Sequence, residues 1–186
     1  MSCDKPELTL HESGEPIVSF IVHGQPKPYG SKVGFRTGKV CHNCRKRSGF
    51  ISIVNQDDKK LKAWQTAVKM AAKKAWGEKI AIDYTALVVD ITFHFKRPLA
   101  HFIGGKTGRL RTGAPRWKID PPDTDKLIRA TWDAMTGIIY RDDSILIPGY
   151  CPKLYASESS AHIKIYNAED YQPANLRLNL KEECYA

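Results

Sequence analysis

Carboxylates are concentrated in one short stretch of this chain, and their spacing suits the binding of a hard divalent cation. Asp123 and Asp125 stand where a helix is expected to begin, and the pair Asp142–Asp143 follows that helix and a turn. Oxygen ligands of this kind are the ones that Mg²⁺ and Ca²⁺ prefer. The whole chain has a net charge of +9. The local excess of acid therefore predicts a metal site, and the basic surroundings predict a polyanionic partner such as nucleic acid.

The helix that would carry these groups is indicated by its boundaries and its spacing. Two prolines hold the approach extended, Asp123 is then a suitable N-cap that accepts a backbone N–H bond, and Gly137 marks the end. At helical spacing the apolar face comprises Leu127, Ile128, Thr131, Ala134 and Met135, and the opposite face comprises Asp125, Arg129 and Asp133. Residues 138–140 are predicted to enter a strand. On an extended chain Asp142 and Asp143 face opposite ways, so only one of them is expected to join the site.

A purely structural interpretation of the same residues stays open at this point. Asp123 can serve as a cap, Asp125 can interact with the helix dipole and with Arg129, and the aspartate pair can form a turn. Each of these roles is common by itself. Their combination in one unit favours a functional site over three separate structural ones.

The stretch resembles the RusA family of Holliday-junction resolvases. The family signature runs Pro-Asp-x-Asp-Asn-Leu-x-Lys-Ala, then Asp-Ala-Leu-Thr-Gly, then an aromatic residue shortly before Asp-Asp-Ser. This chain reads PDTDKLIRA from residue 122, DAMTG from residue 133 and YRDDS from residue 140. Weaker similarity extends from about residue 17 to residue 166. It includes the turn GQPKP at residues 24–28, Trp64, Arg97-Pro98 followed by His101, and Lys153.

The resemblance implies a function and assigns it residue by residue. It makes Asp123, Asp125 and Asp143 the metal ligands, with Mg²⁺ as the cofactor and Mn²⁺ as a substitute. It places the family's catalytic lysine at Arg129 and matches Lys153 to a recurrent lysine that could contact the scissile phosphate. It implies an endodeoxyribonuclease that resolves four-way junctions as a homodimer, in recombination, repair or phage DNA processing. Its products would carry 5′-phosphate and 3′-hydroxyl ends.

Two positions depart from the family signature. Lys126 replaces its asparagine and Arg129 replaces its lysine, a variant that phage members of the family often carry. Arginine stays protonated at any working pH, so Arg129 cannot act as a general base. It can hold a phosphate oxygen and stabilise the charge that develops during cleavage.

Two other functions stay open on the sequence. One is a metal-dependent nuclease for flaps or other branched DNA without a preference for four-way junctions, because that preference depends on dimer geometry. The other is a non-catalytic DNA-binding protein that keeps the fold and uses its carboxylates only in caps and salt bridges. The set of carboxylates argues against the second function.

Residues 96–118 form a basic loop that leads directly into the acidic stretch. No acidic residue lies between Asp90 and Asp120, and four glycines separate the cations. Such a composition favours a flexible loop that binds phosphates, although a solvated surface loop has a similar composition. The expected DNA contacts are Lys106, Arg109, Arg111, Arg116 and Lys118, together with Lys126 in the helix.

The cysteines indicate a reducing compartment rather than a disulfide framework. There are 5 of them, an odd and scattered set. Cys41 and Cys44 have the spacing of half a zinc site, to which Cys151, a histidine or a second subunit would have to contribute. A structural Zn²⁺ at this position is a secondary prediction, and a plain basic turn is its alternative. The expected location is the cytoplasm of a bacterial or phage-infected cell, without membrane attachment.

The predicted fold is a single α+β domain in which two main helices pack on a mixed sheet. Residues 1–15 are expected to form a loose N-terminal arm, residues 16–167 the domain and residues 168–186 a polar tail. Strands are predicted at residues 17–23, 33–36, 50–54, 85–96, 145–147 and 161–166. The first helix is expected at residues 57–76, with Leu61, Trp64, Val68, Ala71 and Ala75 on its apolar stripe.

Overall fold

The computed structural model describes residues 14–30, 32–36, 38, 41–45, 49, 51–55, 58–104 and 108–171. Its strands are β1 (Val18–His23), β2 (Lys32–Arg36), β3 (Ile51–Asn55), β4 (Leu87–Lys96), β5 (Phe102–Ile103), β6 (Arg109–Leu110), β7 (Leu146–Pro148), β8 (Lys153–Ala156) and β9 (Ser160–Asn167). The two helices are α1 (Asp58–Trp76) and α2 (Thr124–Met135). The predicted α+β domain with two main helices is therefore confirmed.

The central sheet is mixed and five-stranded. Its order is β1-β9-β4-β7, and β8 pairs with β4 beyond the end of β7. The contacts of β9 with β1 and β4 are antiparallel, whereas β7 and β8 run parallel to β4. Strands β2 and β3 form a separate antiparallel pair. The sheet thus places the start of β8 and the chain that precedes α2 on the same side of β4.

The core lies between one face of the sheet and both helices. The alternating residues of β4 predicted to face one way, Leu87, Val89, Ile91, Phe93 and Phe95, are all buried. On α1 the buried positions are Leu61, Trp64, Val68, Ala72 and Trp76, so Ala75, which is exposed, was wrongly placed on the stripe. On α2, Leu127, Ala130, Thr131, Ala134 and Met135 are buried. Each large apolar side chain buried in this way stabilises the fold by about 1.5–3 kcal/mol.

Two parts of the chain differ from the strand predictions. Residues 137–139 form a turn rather than the start of a strand, because Gly137 has a φ of 76° and its N–H donates to the carbonyl of Tyr140 at 2.7 Å. Tyr140 itself forms isolated β-bridges with Ile82 and Thr136. The predicted basic loop is also folded over its described part. It contains a 3-10 turn at Leu99–His101 and the short antiparallel pair β5–β6.

The chain beyond β9 still packs on the sheet at the point where the polar tail was expected to begin. Ala168 donates its N–H to the carbonyl of Ala86, and the hydroxyl of Tyr171 donates to Asp90. Residues 1–13 of the predicted arm and residues 172–186 of the predicted tail lie outside the described part of the chain. Among the described residues, no helix combines the length and the apolar character that crossing a bilayer requires.

Candidate active site

The acidic end of α2 is built differently from the predicted cap. Asp123 occupies the N-cap position with an extended backbone, but its side chain accepts no capping bond. Its carboxylate lies instead 2.7 Å from the ammonium of Lys126, one turn further along the helix. The hydrogen bond and the charge of Lys126 lower the pKa of the Asp123 carboxyl, and the same pair raises the pKa of Lys126. This exposed pair leaves the N–H groups of the first turn without a cap from Asp123.

The segment that leads into α2 is held by Lys153 from β8. Its ammonium donates to the carbonyl oxygens of Asp120 at 2.9 Å and of Pro122 at 2.7 Å. Burial, followed by the nearby charge of Lys118, lowers the pKa of Lys153. The hydroxyl of Tyr155, on the same strand, donates to the carboxylate of Asp120 at 3.1 Å. Strand β8 therefore fixes the backbone immediately before Asp123.

A cleft of about 400 Å³ opens at this end of α2. It is lined by Pro28, Tyr29, Gly30, Pro121, Pro122, Asp123 and Lys126. One wall is the turn that follows β1, and the opposite wall is the segment fixed by Lys153. The N–H of Tyr29 donates to the carbonyl of Lys126 at 3.1 Å, which joins the two walls at the helix. The cleft thus contains one candidate metal ligand and a cation beside it.

The polar face of α2 extends away from this cleft. Asp125 and Arg129 are exposed and Asp133 is partly buried, as their helical spacing predicted. The guanidinium of Arg129 lies 5.5 Å from the centroid of the Tyr29 ring. The Tyr29 hydroxyl bonds to the carboxylate of Asp133, and this bond, with burial, raises the pKa of Tyr29. Arg129 is therefore placed beside the cleft by contacts from outside its own helix.

The two aspartates after α2 have different environments. Asp142 is extended and its carboxylate accepts the N–H of Ser144 at 2.8 Å, which stabilises the turn. Asp143 begins a 3-10 turn, so the extended geometry assumed for both aspartates does not apply. Asp143 also lies near Tyr140, whose pKa is raised by burial and further by the charge of Asp143. The hydroxyl of Tyr140 donates to the carbonyl of Trp132 at 2.8 Å and ties this turn to α2.

The predicted metal ligands suit a hard divalent cation by their chemistry, but they are not gathered in this conformation. Asp123, Asp125 and Asp143 are all exposed carboxylates, which is the donor type that Mg²⁺ takes. Within the described residues, no group of three His, Cys, Asp or Glu side chains could hold an ion together. Asp123 is neutralised by Lys126 instead. The assignment of Asp123, Asp125 and Asp143 as ligands of one ion therefore stays a prediction.

The predicted DNA contacts of the basic loop differ in how far they are exposed. Lys118 is mostly buried, with its ammonium 5.5 Å from the Phe95 ring centroid and 5.7 Å from that of Tyr155. It lines a second cavity, of about 470 Å³. Arg109, Arg111 and Arg116 are exposed, and Arg111 donates through Nε to the carbonyl of Phe102. The predicted contact Lys106 lies outside the described residues.

The cysteine pair forms a tight turn on the surface. The N–H of Arg45 donates to the carbonyl of Cys41 at 2.9 Å, and both Cys41 and Cys44 are exposed. Backbone and side-chain bonds with Cys44 lower the pKa of Cys41. Cys151 instead donates to the carbonyl of Val89, and the structure, where it describes the chain, joins no third ligand to the pair. The zinc site stays a prediction.

Two residues with evident structural roles at the site were missed in the sequence. Tyr29 contacts Arg129 and Asp133. Asp120 accepts a hydrogen bond from Lys153 at its backbone carbonyl and one from Tyr155 at its carboxylate. The signal for Tyr29 was its position directly after the turn GQPKP, which resembles a family feature. No local pattern indicated the partners of Asp120, because they come from a strand more than thirty residues later.

A protein-family model matches most of this chain. The chain matches the family model described as "Endodeoxyribonuclease RusA" over residues 37–166, which include both helices, the central strand β4 and the acidic stretch. None of the curated proteins matches the chain at a significant level. Because the family model covers well over half of the chain, the chain belongs to the RusA family of endodeoxyribonucleases.

Proposed function

We propose that this protein is a metal-dependent endonuclease that cuts four-way DNA junctions. One observation supports it above the others. In a chain of an endodeoxyribonuclease family, α2 carries Asp123, Asp125, Lys126 and Arg129 on exposed surface beside a cleft. Two carboxylates followed by two cations suit a phosphodiester and the ion that neutralises it, whereas helix stability alone needs no such arrangement.

The proposed ligands of the ion are Asp123, Asp125 and Asp143. A bound Mg²⁺ or Mn²⁺ supplies Lewis acidity toward a phosphate oxygen and toward water. Asp143 is proposed rather than Asp142, because the carboxylate of Asp142 already accepts the N–H of Ser144. When DNA is bound, Lys126 would break its ion pair with Asp123 and bind a phosphate oxygen instead. The ammonium of Lys126 would then face an anion in both states.

The cations have separate roles in this proposal. Arg129, which stays charged, holds a phosphate oxygen and balances the charge that develops during cleavage. Lys153 fixes the position of Asp123 through the backbone of Asp120 and Pro122. Its third N–H could still reach the phosphate. Arg109, Arg111, Arg116 and Lys118 would bind flanking phosphates, and the products would carry 5′-phosphate and 3′-hydroxyl ends.

A symmetric four-way junction requires two cuts, so the working form is proposed to be a two-fold homodimer. Participation in recombination, repair or phage DNA processing follows from that activity. Cleavage of different branched DNAs decides which of them the protein prefers.

The test is cleavage of three DNA substrates by the purified full-length protein, followed on denaturing gels. A mobile four-way junction, a flap and a linear duplex are each incubated with Mg²⁺ and then with EDTA, and the variant Asp125→Asn serves as the control for contaminating nuclease. The expected result is paired cuts in the junction, lost with EDTA and with the variant. Preferential cleavage of the flap would replace the junction assignment, and cleavage that persists in EDTA would end the metal assignment.

A further inference from the structure

The outer surface of α1 carries a line of lysines. The helix is 19 residues long and contains six lysines but a single acidic residue, Asp58. At about 100° per residue, four of the lysines fall within an arc of about 80° on the exposed surface beside the buried stripe. These four are the lysine ridge: Lys59, Lys62, Lys69 and Lys73, all of them exposed.

The lysine ridge is not explained by the stability of the helix. Lys59 lies in the first turn, where a positive charge opposes the helix dipole. Lys69 and Lys73 are four residues apart, and such a like-charged pair destabilises a helix. Only the lysines of the last turn, Lys73 and Lys74, gain from the dipole. The repulsion between Lys69 and Lys73 would be relieved by a polyanion lying on the ridge.

Further cations lie on the other flank of α1, beside the turn that leads to the candidate active site. Lys27 and Lys60 line one cleft of about 290 Å³ between α1 and the turn after β1. Two residues beyond Lys27, the hydroxyl of Tyr29 bonds to Gln65 of α1, while its ring lies under Arg129 of α2. The positively charged surface of α1 is therefore joined to the polar face of α2 through one short segment.

We propose that the lysine ridge binds the sugar–phosphate backbone of one duplex arm of the branched DNA, while the strand to be cut lies at α2. This inference rests on the proposed function. From Lys59 to Lys73 the ridge is about 21 Å long at about 1.5 Å per residue. That length corresponds to about six base pairs at about 3.4 Å each. Lysines on a flexible stem contact phosphates without reading the base sequence, so the ridge would contribute affinity and orientation rather than sequence preference.

The test compares two variants with the same change in net charge. Lys69→Gln/Lys73→Gln removes two charges from the lysine ridge, and glutamine keeps the helix because its helix propensity is close to that of lysine. Thr85→Glu/Lys164→Gln changes the charge by the same amount at exposed positions outside α1. Binding is measured with EDTA present, over a series of salt concentrations, on a junction with arms of two helical turns and on one with arms of half a turn. Circular dichroism confirms that both variants are folded.

The ridge variant is expected to bind the long-armed junction about tenfold more weakly or worse. Its slope of log affinity against log salt should be shallower by about 0.9 for each DNA phosphate that a lysine no longer neutralises. Its affinity for the short-armed junction and its single-turnover cleavage at saturating protein should stay near those of the parent. The matched control should show neither change. An equal loss in the matched control, an equal loss on short arms or an unchanged salt slope would each overturn the proposal.

The lysine ridge can also be tested if the proposed activity fails. Where the parent protein binds linear duplex but cuts no junction, the same pair of variants is compared on that duplex. Weaker binding by the ridge variant alone then supports the DNA surface while the junction activity is rejected. Equal binding by the two variants rejects the ridge whatever the parent protein cuts.

Discussion

The guanidinium of Arg129 lies over the ring of Tyr29, 5.5 Å from its centroid. The same tyrosine donates its N–H to the carbonyl of Lys126 and bonds through its hydroxyl to Asp133. One residue of the segment after β1 therefore contacts three consecutive turns of α2 along its polar face. This contact limits the directions in which the long side chain of the exposed Arg129 can point.

Arg129→Ala should reduce the cleavage rate by about a hundredfold or more, because a charge that stabilises the transition state is removed. Arg129→Lys should keep part of the activity, since it supplies the charge without the planar fork. Tyr29→Leu should cost about 0.5–1 kcal/mol in the same rate, the size of a cation–π contact at an exposed site. Single-turnover kinetics on a junction measure all three. Near-parental rates for Arg129→Ala would reduce Arg129 to a surface cation.

Asp125→Asn should abolish cleavage while junction binding stays equal or becomes tighter. Removal of the carboxylate weakens binding of the ion. Because the ion stabilises the transition state by several kcal/mol, the cleavage rate should fall by at least about a hundredfold. At the same time the repulsion between the site and DNA phosphates decreases. Cleavage is followed on gels, and binding is measured with EDTA by electrophoretic mobility. A folded Asp125→Asn protein that cuts at the parental rate would show that Asp125 is not a ligand.

Asp143→Asn should be inactive and Asp142→Asn should stay close to the parent. The carboxylate of Asp142 accepts the N–H of Ser144, and an asparagine oxygen can accept the same bond. Asp143 is proposed to need its full charge for the ion. Turnover of the two variants, prepared side by side, decides between them. The reverse pattern of activities would transfer the ligand role to Asp142.

Lys126→Gln should raise the pKa of Asp123 toward its usual range, because the bond and charge of Lys126 hold it down. A carboxyl whose pKa is lower in the folded state contributes stability above its unfolded pKa, and this stability disappears as the pH falls through the folded pKa. The stability difference between parent and variant should therefore be present at neutral pH and vanish in acid.

Carbon-detected NMR titration of the Asp123 carboxyl, assigned with Asp123→Asn, measures the change in pKa directly. Binding of Mn²⁺ without DNA, followed by paramagnetic relaxation, should strengthen in Lys126→Gln because the competing ammonium is absent. An Asp123 carboxyl that titrates at the same pH in both proteins would mean that the ion pair does not form in solution.

Lys153→Met should lower both the cleavage rate and the free energy of unfolding. Its two bonds to carbonyl oxygens come from a charged donor, a class worth about 1.5–3 kcal/mol each. Partial access of water to both carbonyls should bring the total loss toward the lower end of that range. Urea unfolding without DNA measures it, with Lys164→Met as an exposed control on β9. Unchanged stability beside abolished cleavage would favour direct phosphate contact over positioning.

The sequence by itself determined those features that depend on local spacing. The strict alternation of β4 predicted its buried face, since neighbouring side chains of a strand point to opposite sides. The 3.6-residue period of α2 placed Asp125, Arg129 and Asp133 together on its outer face. The motif from residue 122 to residue 144 carried the family resemblance, because the acidic residues and the helix that presents them are adjacent in the chain.

Only the tertiary structure decided how these groups are supported. Asp123 was expected to cap α2, but its carboxylate pairs with Lys126, because a charged partner within reach competes with the backbone N–H groups. Lys153 and Tyr155 reach Asp120 because β8 lies parallel to β4 beside the chain entering α2. Tyr29 reaches Arg129 across one hundred residues of sequence. Contacts of this kind depend on strand order and on the packing of the helices, which no local periodicity encodes.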